Sequence, residues 1–382
     1  VEAIRFQRPE LPPAAEIERY FAASREVRWF SNEGSCHRLL SERLSAFLGG
    51  EISVVLTANA TLGLVLALRT LLGEHPRGSL VLVPSFTFPA TAQAITWNGL
   101  QPRWVDVEPD GWHLDPSALR DSLAAHGEQV AAVLACSTFG AAPTREQSEA
   151  WRAACEEAGV PLIVDSAPGF GASDEHGVLL GRQGDAEVFS FHATKPFAIG
   201  EGGAVTSADP DFAERLAAMT NFSFGAHREI RSSYGLNAKL SELHAAVGLA
   251  VLDRFEEVLS ARRARAALMR AELEPAGYRF QAGARGSTWQ FVPVLAPTVE
   301  VRDTVLALAA ARQVEIRGYH TPLHTLPAFA GSPPAELVVT EELARRSLSL
   351  PLANDLPESQ IQRIVALLLE SVGAASHTEV EA

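Results

Sequence analysis

Lysine is nearly absent from this chain. Of its 32 basic side chains, all but Lys195 and Lys239 are arginine, although lysine is ordinarily a common surface residue. Nucleotide bias in the source genome would explain the scarcity, but not where the two survivors stand. Basic charge is short altogether: 32 Lys and Arg face 46 Asp and Glu, a formal net charge of −14. An acidic chain without a basic stripe is a poor holder of phosphate backbones, so no nucleic-acid binding is expected. One phosphate-bearing small ligand in a local pocket remains compatible with that charge. No apolar run approaches the roughly 20 residues of a membrane span, and the opening VEAIRFQRPELPPAAEIERYF does not read as a signal peptide. No membrane association is expected. Cys36, Cys136 and Cys155 lie far apart, which argues against a disulfide framework or a metal site and suits a reduced, cytoplasmic protein. With 47% hydrophobic and 20% charged residues over 382 positions, core material is ample. Roughly 100–200 residues per domain gives two or three domains.

What is present is an alternation. Short apolar runs at 52–56, 79–83, 102–107, 130–136, 161–165, 186–191 and 203–207 are interleaved with helical patterns at 62–72, 90–97, 116–125 and 145–158. Such strands between helices predict an α/β fold with a mostly parallel sheet covered on both faces. After Asp209 the pattern turns helical, at 211–219 and over 241–273. A smaller α/β unit follows, with strands at 287–296 and 314–318 and helices near 300–312, 340–349 and 358–372. The expected organisation is a large domain over 1–255 and a small C-terminal one over 256–382. The Pro-rich N-terminal piece and the tail after Gly373 are expected to be poorly tied down.

In an open parallel sheet, ligands sit beyond the carboxyl ends of the strands. After 52–56 comes Thr57-Ala58-Asn59-Ala60-Thr61 and a helix start. Unpaired N–H groups at the positive end of a helix dipole suit a phosphate, and a plain N-cap uses the same residues. After 79–83, Pro84-Ser85-Phe86-Thr87-Phe88 sets an aromatic at that edge; Phe88 is either a core residue or a face for a flat ligand. PLIV ends in Asp165, followed by Ser166 and Ala167. A buried carboxylate is costly without a cationic partner, and a loop-capping aspartate is the alternative. AEVFSF leads to His192-Ala193-Thr194-Lys195-Pro196 and then Gly200-Glu201-Gly202-Gly203. Arginine does not lose its proton usefully, whereas a desolvated lysine becomes neutral enough to attack a carbonyl. A phosphate cradle, an aromatic face, a carboxylate and an amine are together what pyridoxal 5'-phosphate requires.

These segments resemble the DegT/DnrJ/EryC1/StrS aminotransferases, a sugar-aminotransferase branch of the fold-type-I pyridoxal-phosphate enzymes, over nearly the whole chain. Asn59-Ala60-Thr61 before LGLVLAL stands where the family has Ser-Gly-Thr before an Ala-Leu-rich helix. PSFTFPATAQAITWNGLQPRWVDVEPDGWHLDP is close to its Thr-Phe-x-Ala-Thr segment. VFSFHATKPFAIGEGGAVTS is a near-complete copy of Ser-Phe-x-x-x-Lys … Gly-Glu-Gly-Gly, the most specific element. Gly235-Leu236-Asn237-Ala238-Lys239-Leu240-Ser241-Glu242, GYHTPLHTLPAF and LSLPL resemble later signatures.

The resemblance implies that Lys195 forms the internal aldimine and Asp165 pairs with the pyridine nitrogen. Phe88 would stack on the ring, with Ala167 on its other face. Ala60, Thr61 and Ser190 would hold the phosphate, and Asn237 would reach the phosphate of a neighbouring subunit's cofactor, making a homodimer. Asn32, His192, Arg228, Tyr319 and His324 belong to the implied substrate side; Arg228 and Arg231 are equally a solvated loop pair. Lys239 stands where the family often has Arg and reads as structural. The implied reaction carries the amino group of L-glutamate, through pyridoxamine 5'-phosphate, to a nucleotide-linked keto-deoxysugar. Two positions depart from the family: Pro168, where a Gln or His donor is usual, and Ala60, where Gly is usual. The first leaves a cyclitol or other non-nucleotide keto acceptor as an alternative. A non-catalytic binding protein on the same scaffold would have no reason to keep a buried amine.

Overall fold

The computed structural model describes residues 2–76, 78–225, 227–332 and 336–378, the side chains from 375 onward excepted. Seven strands, β1 (Ser53–Thr57), β2 (Leu80–Pro84), β3 (Gln101–Val105), β4 (Val130–Cys136), β5 (Leu162–Asp165), β6 (Ala186–Ser190) and β7 (Gly203–Ser207), form the large sheet. Their order is β1-β7-β6-β5-β4-β2-β3. From β3 to β6 all neighbours are parallel, while β7 runs antiparallel to both β6 and β1. The sheet is therefore mixed and mostly parallel.

Helices α1 (Ala14–Glu26), α2 (Ser35–Phe47), α3 (Ala60–Leu72), α4 (Pro89–Trp97), α5 (Pro116–His126), α6 (Arg145–Ala158), α7 (Pro210–Thr220) and α8 (Glu242–Leu252) surround this sheet. Leu64, Leu68, Ile95, Phe212 and Leu216 of α3, α4 and α7 bury against Val81, Val83 and Val188. Leu119 and Trp151 of α5 and α6 bury against Val133 and Val164. With helices packed on it, β4 is buried at every residue, which is why its sequence is continuously apolar rather than alternating. Local chemistry sets the helix starts. Asp115 and Asp209 cap helices that open on proline, and Thr144 with Gln147 forms a reciprocal cap on α6, closed by left-handed Gly159.

A small sheet, β10-β9-β8 in space, follows, built from β8 (Arg279–Phe280), β9 (Val292–Leu295) and β10 (Ser347–Leu350). It packs with α9 (Phe255–Leu273), α10 (Val299–Ala311) and α12 (Glu358–Thr378), while α11 (Val338–Arg346) leads into β10.

The 241–273 stretch is helical as expected, in two helices broken at Asp253 and Arg254. Other expectations need correction. Of 287–296 only β9 is strand, and 314–318 contributes just single bridges, Ile4 to Val314 and Arg317 to Ser349. The helix expected at 340–349 ends at Arg346, because Ser347-Leu348-Ser349-Leu350 pairs with β9. Its period-two alternation was the signal for that strand. The N-terminal piece is well anchored: Ile4 and Phe6 are 1% and 0% exposed. Ile4 exchanges backbone hydrogen bonds with Gln313 and Glu315 at 2.9 Å each. The tail continues as helix through Gly373 to Thr378, and 379–382 lie outside the described residues.

Candidate active site

β5 ends on Asp165, between Cys136 on β4 and Val188 on β6. The carboxylate is 3% exposed and accepts from Thr91 Oγ1 at 2.7 Å and from the Ala167 amide at 3.0 Å. Burial pushes its carboxyl up, and Thr91, the Ala167 amide and nearby Lys195 draw it back. Ionised Asp165 has no proton to give, so Thr91 commits its own, and the Thr91 oxygen is left to accept from Thr87 Oγ1 at 2.9 Å. Thr87 also stands 3.2 Å from the Cys136 sulfur. Thr91 lies inside a motif noted in the sequence, yet nothing there assigned it a role.

Lys195 stands on the return loop between β6 and β7. Hydrogen bonds from Ala193 N to Gly200 O (2.7 Å) and Ile199 N to Phe191 O (2.9 Å) close the loop. Buried Phe191, Phe197 and Ile199 tie it into the core with Phe170 and Phe255. Burial lowers the amine to about 8, while Asp165 and Cys136 act in the opposite direction. Its Nζ donates to Gln290 Oε1 at 3.1 Å. His320, stacked on Phe139 at 4.7 Å and 9°, is held down to about 3 by burial and by Lys195. It stays a neutral ring within electrostatic reach of the amine. Neither Gln290 nor His320 was singled out from sequence; a glutamine inside the apolar run STWQFVPVLA was the available signal.

At the start of α3, Asn59 Oδ1 accepts from Leu62 N at 2.9 Å. The amides of Ala60 and Thr61 are thus without a protein partner among the described residues. Gly203 pairs with Ser190, and a Cβ on it would fall 2.7 Å from the Ala60 nitrogen. Only glycine lets β7 pass so close beneath the helix start, which brings Ser190 to the same corner. The chain at 237–239 runs beside this turn, Ala58 N donating to Ala238 O at 2.7 Å. Lys239 Nζ donates to Asn221 Oδ1 (2.8 Å) and Asn237 Oδ1 (2.9 Å), and Asn237 is exposed. Lys239 thereby has a fastening role, in keeping with the structural reading. Phe88, directly before α4, is 63% exposed at the same sheet edge.

The remaining candidates divide. Thr194 N donates to His192 Nδ1 at 3.2 Å, which ties His192 to the Lys195 loop, and Ser85 Oγ lies 2.7 Å from His324 Nδ1 just past β2. Tyr319 instead packs on Phe6 and Phe291, and its hydroxyl accepts from Arg317 at 2.6 Å. Asn32, exposed at φ 58°, accepts through its carbonyl from Trp29 Nε1. The Arg228 guanidinium lies over Phe224, 5.5 Å from its centroid, and Arg231 pairs with Glu229 at 2.9 Å. None of these contacts joins Asn32, Arg228 or Arg231 to Lys195 or Asp165, whereas the Tyr319 ring also stacks on His320 at 5.8 Å and 20°, and His320 interacts electrostatically with Lys195. Pro168 offers only its carbonyl, which accepts from Thr288 Oγ1 at 2.6 Å. Among the described residues no group of His, Cys, Asp or Glu could hold a metal ion, and no helix is long and apolar enough to cross a membrane.

The corner fits pyridoxal phosphate on three counts: open amides with a glycine-tight approach, a bare aromatic, and a buried carboxylate beside an amine of lowered basicity. Comparison with known proteins agrees. Residues 13–369 match the DegT/DnrJ/EryC1/StrS aminotransferase family. The chain is 34% identical over 378 residues to Protein MT3510 of Mycobacterium tuberculosis, covering 97% of this chain and 90% of that one. It is 29% identical over 377 residues to the dTDP-4-amino-4,6-dideoxy-D-glucose transaminase of Escherichia coli, covering 96% and 98%. The crystal structure of DesI with its TDP-sugar product matches with a TM-score of 0.89 and 34% identity, over 100% of this chain and 96% of that one. The chain therefore belongs to the DegT/DnrJ/EryC1/StrS family and is a pyridoxal-phosphate-dependent aminotransferase.

Proposed function

We propose that the enzyme transfers the amino group of L-glutamate to a keto group of a nucleotide-linked deoxysugar. The observation that carries this reading is Lys195, an amine lowered to about 8 and within electrostatic reach of the buried Asp165 carboxylate. Near neutral pH such an amine exchanges a proton in both directions, as a step that removes one and returns it elsewhere requires. The TDP-sugar product named for DesI and the dTDP-sugar named for the Escherichia coli relative support the choice of acceptor.

Pyridoxal phosphate, when bound, supplies an aldehyde for the amino group and an electron sink for the carbon that loses its proton. Lys195 would carry the cofactor and, when its amine is free, hold and return the substrate proton. Asp165, aimed by Thr91 and the Ala167 amide, would pair with the ring nitrogen. Ala60, Thr61 and Ser190 would hold the phosphate at the positive end of α3. Phe88 and Ala167 would hold the ring. His192, His324, Asn32, Arg228 and Tyr319 are assigned to the acceptor side. Asn237 would reach the cofactor of a second copy in a homodimer.

The test supplies glutamate with dTDP- and UDP-linked keto-6-deoxyhexoses and, separately, with keto-inositols, and measures 2-oxoglutarate. Release with the nucleotide sugars is expected. Release with keto-inositols alone would move the acceptor to the cyclitols, the alternative that the missing donor at Pro168 leaves open.

A further inference from the structure

An amine that alternates between bonded and free must be held somewhere while it is free. We propose that Gln290, supplied by the segment entering the small sheet, is the seat of the Lys195 amine whenever that amine is not bonded to cofactor, with Thr194 setting the direction of the Gln290 amide. The proposal rests on the aminotransferase reading of Lys195 and adds a positioning residue to it.

Gln290 is 7% exposed between buried Trp289 and Phe291, two residues before β9. Its backbone is fixed: the buried Arg262 Nη1 donates to the carbonyls of Trp289 (2.8 Å) and Gln290 (3.3 Å). From this rigid base the side chain extends to the Lys195 loop and meets two partners there. Lys195 Nζ lies 3.1 Å from Oε1, and Thr194 Oγ1 lies 3.5 Å from Nε2.

The two ends of an amide are told apart by their partners. A lysine ammonium only donates, so the oxygen must face Lys195 and the NH2 must face Thr194. Thr194 Oγ1 then accepts, and its own proton points to His192 Nδ1 at 2.8 Å. That nitrogen already accepts from the Thr194 amide at 3.2 Å, so the imidazole proton belongs on Nε2, toward Glu201 at 3.6 Å. Every member of the row has one consistent direction, ending on an oxygen offered to the catalytic amine. That oxygen is uncharged. It retains the amine without adding a second carboxylate to the influence of Asp165, and so leaves it able to give up its proton. The other titratable groups acting on Lys195, namely Asp165, Cys136 and His320, are untouched by a change at 290. No bond is made or broken at Gln290.

The test uses the full chain freed of cofactor. Amines are labelled competitively with acetic anhydride across a pH series, and the Lys195 and Lys239 peptides are quantified by mass spectrometry. The pH midpoint reports basicity, the high-pH plateau accessibility. In Gln290→Met the Lys195 midpoint should fall by roughly half to one unit, a three- to tenfold gain in free amine at a given pH below it. Gln290→Glu should raise the midpoint, Thr194→Val should lower it by less than Gln290→Met does, and Lys239 should not move in any variant. An unmoved Lys195 midpoint in Gln290→Met, or a change in plateau alone, overturns the proposal, since packing by itself gives that result. If Gln290→Met does not fold, Gln290→Asn replaces it: its amide falls short of the amine, and the same midpoint criterion applies. Borohydride trapping of cofactor on wild-type Lys195 tests the underlying reading separately, because it does not involve Gln290.

Discussion

Replacing Thr91 by valine removes one of two donors from the carboxylate on which the site turns. Thr91 Oγ1 reaches Asp165 Oδ2 at 2.7 Å, and the Ala167 amide, at 3.0 Å, is the other donor. A hydrogen bond to a charged group contributes about 1.5–3 kcal/mol, and about 1.4 kcal/mol corresponds to one pKa unit. Thr91→Val should therefore raise the Asp165 carboxyl, already pushed up by burial, by about one to two further units. The cost falls on the ionised form in the folded state. The stability deficit is full above the variant's raised carboxyl value and shrinks as pH falls through it, until both folded proteins are protonated. Urea unfolding of cofactor-free protein at several pH values should give a deficit of about 1–3 kcal/mol at neutral pH, much reduced in acid. The acid limb of the glutamate half-reaction should move up by the same one to two units, roughly. A deficit equal at every pH, with overlaid acid limbs, would show that valine merely repacks the position and refute the reasoning.

Three other substitutions probe separate parts of the account. Gly203→Ala places a methyl 2.7 Å from the Ala60 nitrogen and 2.9 Å from the Phe189 oxygen; a loss of about 1–3 kcal/mol is expected, with weaker phosphate and cofactor binding read by equilibrium titration. His320→Phe keeps the stack on Phe139 but removes a ring held at about 3. The wild-type ring contributes stability that is full above about 6.5 and lost as pH falls from there toward 3, so the variant's stability should fall less steeply with acid, by up to about 1.4 kcal/mol per pH unit. Glu242 is fully buried and its carboxylate accepts from Ser24 Oγ and the amides of Cys36 and His37, fastening α1 to the start of α2. Glu242→Gln puts an NH2 against those donors and should lower unfolding stability by about 2–4 kcal/mol; an unchanged urea midpoint would count against this role.

How far the sequence carried is best judged at particular residues. Apolar runs without alternation identified the parallel strands, because a sheet covered on both faces leaves no polar position to interrupt them. The scarcity of lysine drew attention to Lys195, and the strand-end rule brought Asp165, Phe88 and the α3 start to the same edge. The antiparallel entry of β7 was not legible, since GAVTS carries no mark of direction. Nor were Gln290 and His320: their relation to Lys195 arises from a segment some hundred residues away in sequence folding back on the β6–β7 loop, and only chain topology supplies it. Ser347, Leu348 and Ser349 extended an apparent helix, whereas pairing with β9 made them strand. The N-terminal piece looked loose from its prolines, yet Ile4 and Phe6 find their burial against the small sheet and Phe291.

The central claim is that Lys195, not Lys239, bonds to pyridoxal phosphate. Incubating the protein with the cofactor, reducing with borohydride and sequencing the peptides by mass spectrometry tests it directly, because these two lysines are the only ones in the chain. The expected result is the reduced cofactor on Lys195 alone, absent from a folded Lys195→Ala variant. Cofactor on Lys239, or on neither lysine while the protein still transfers amino groups, would contradict the account.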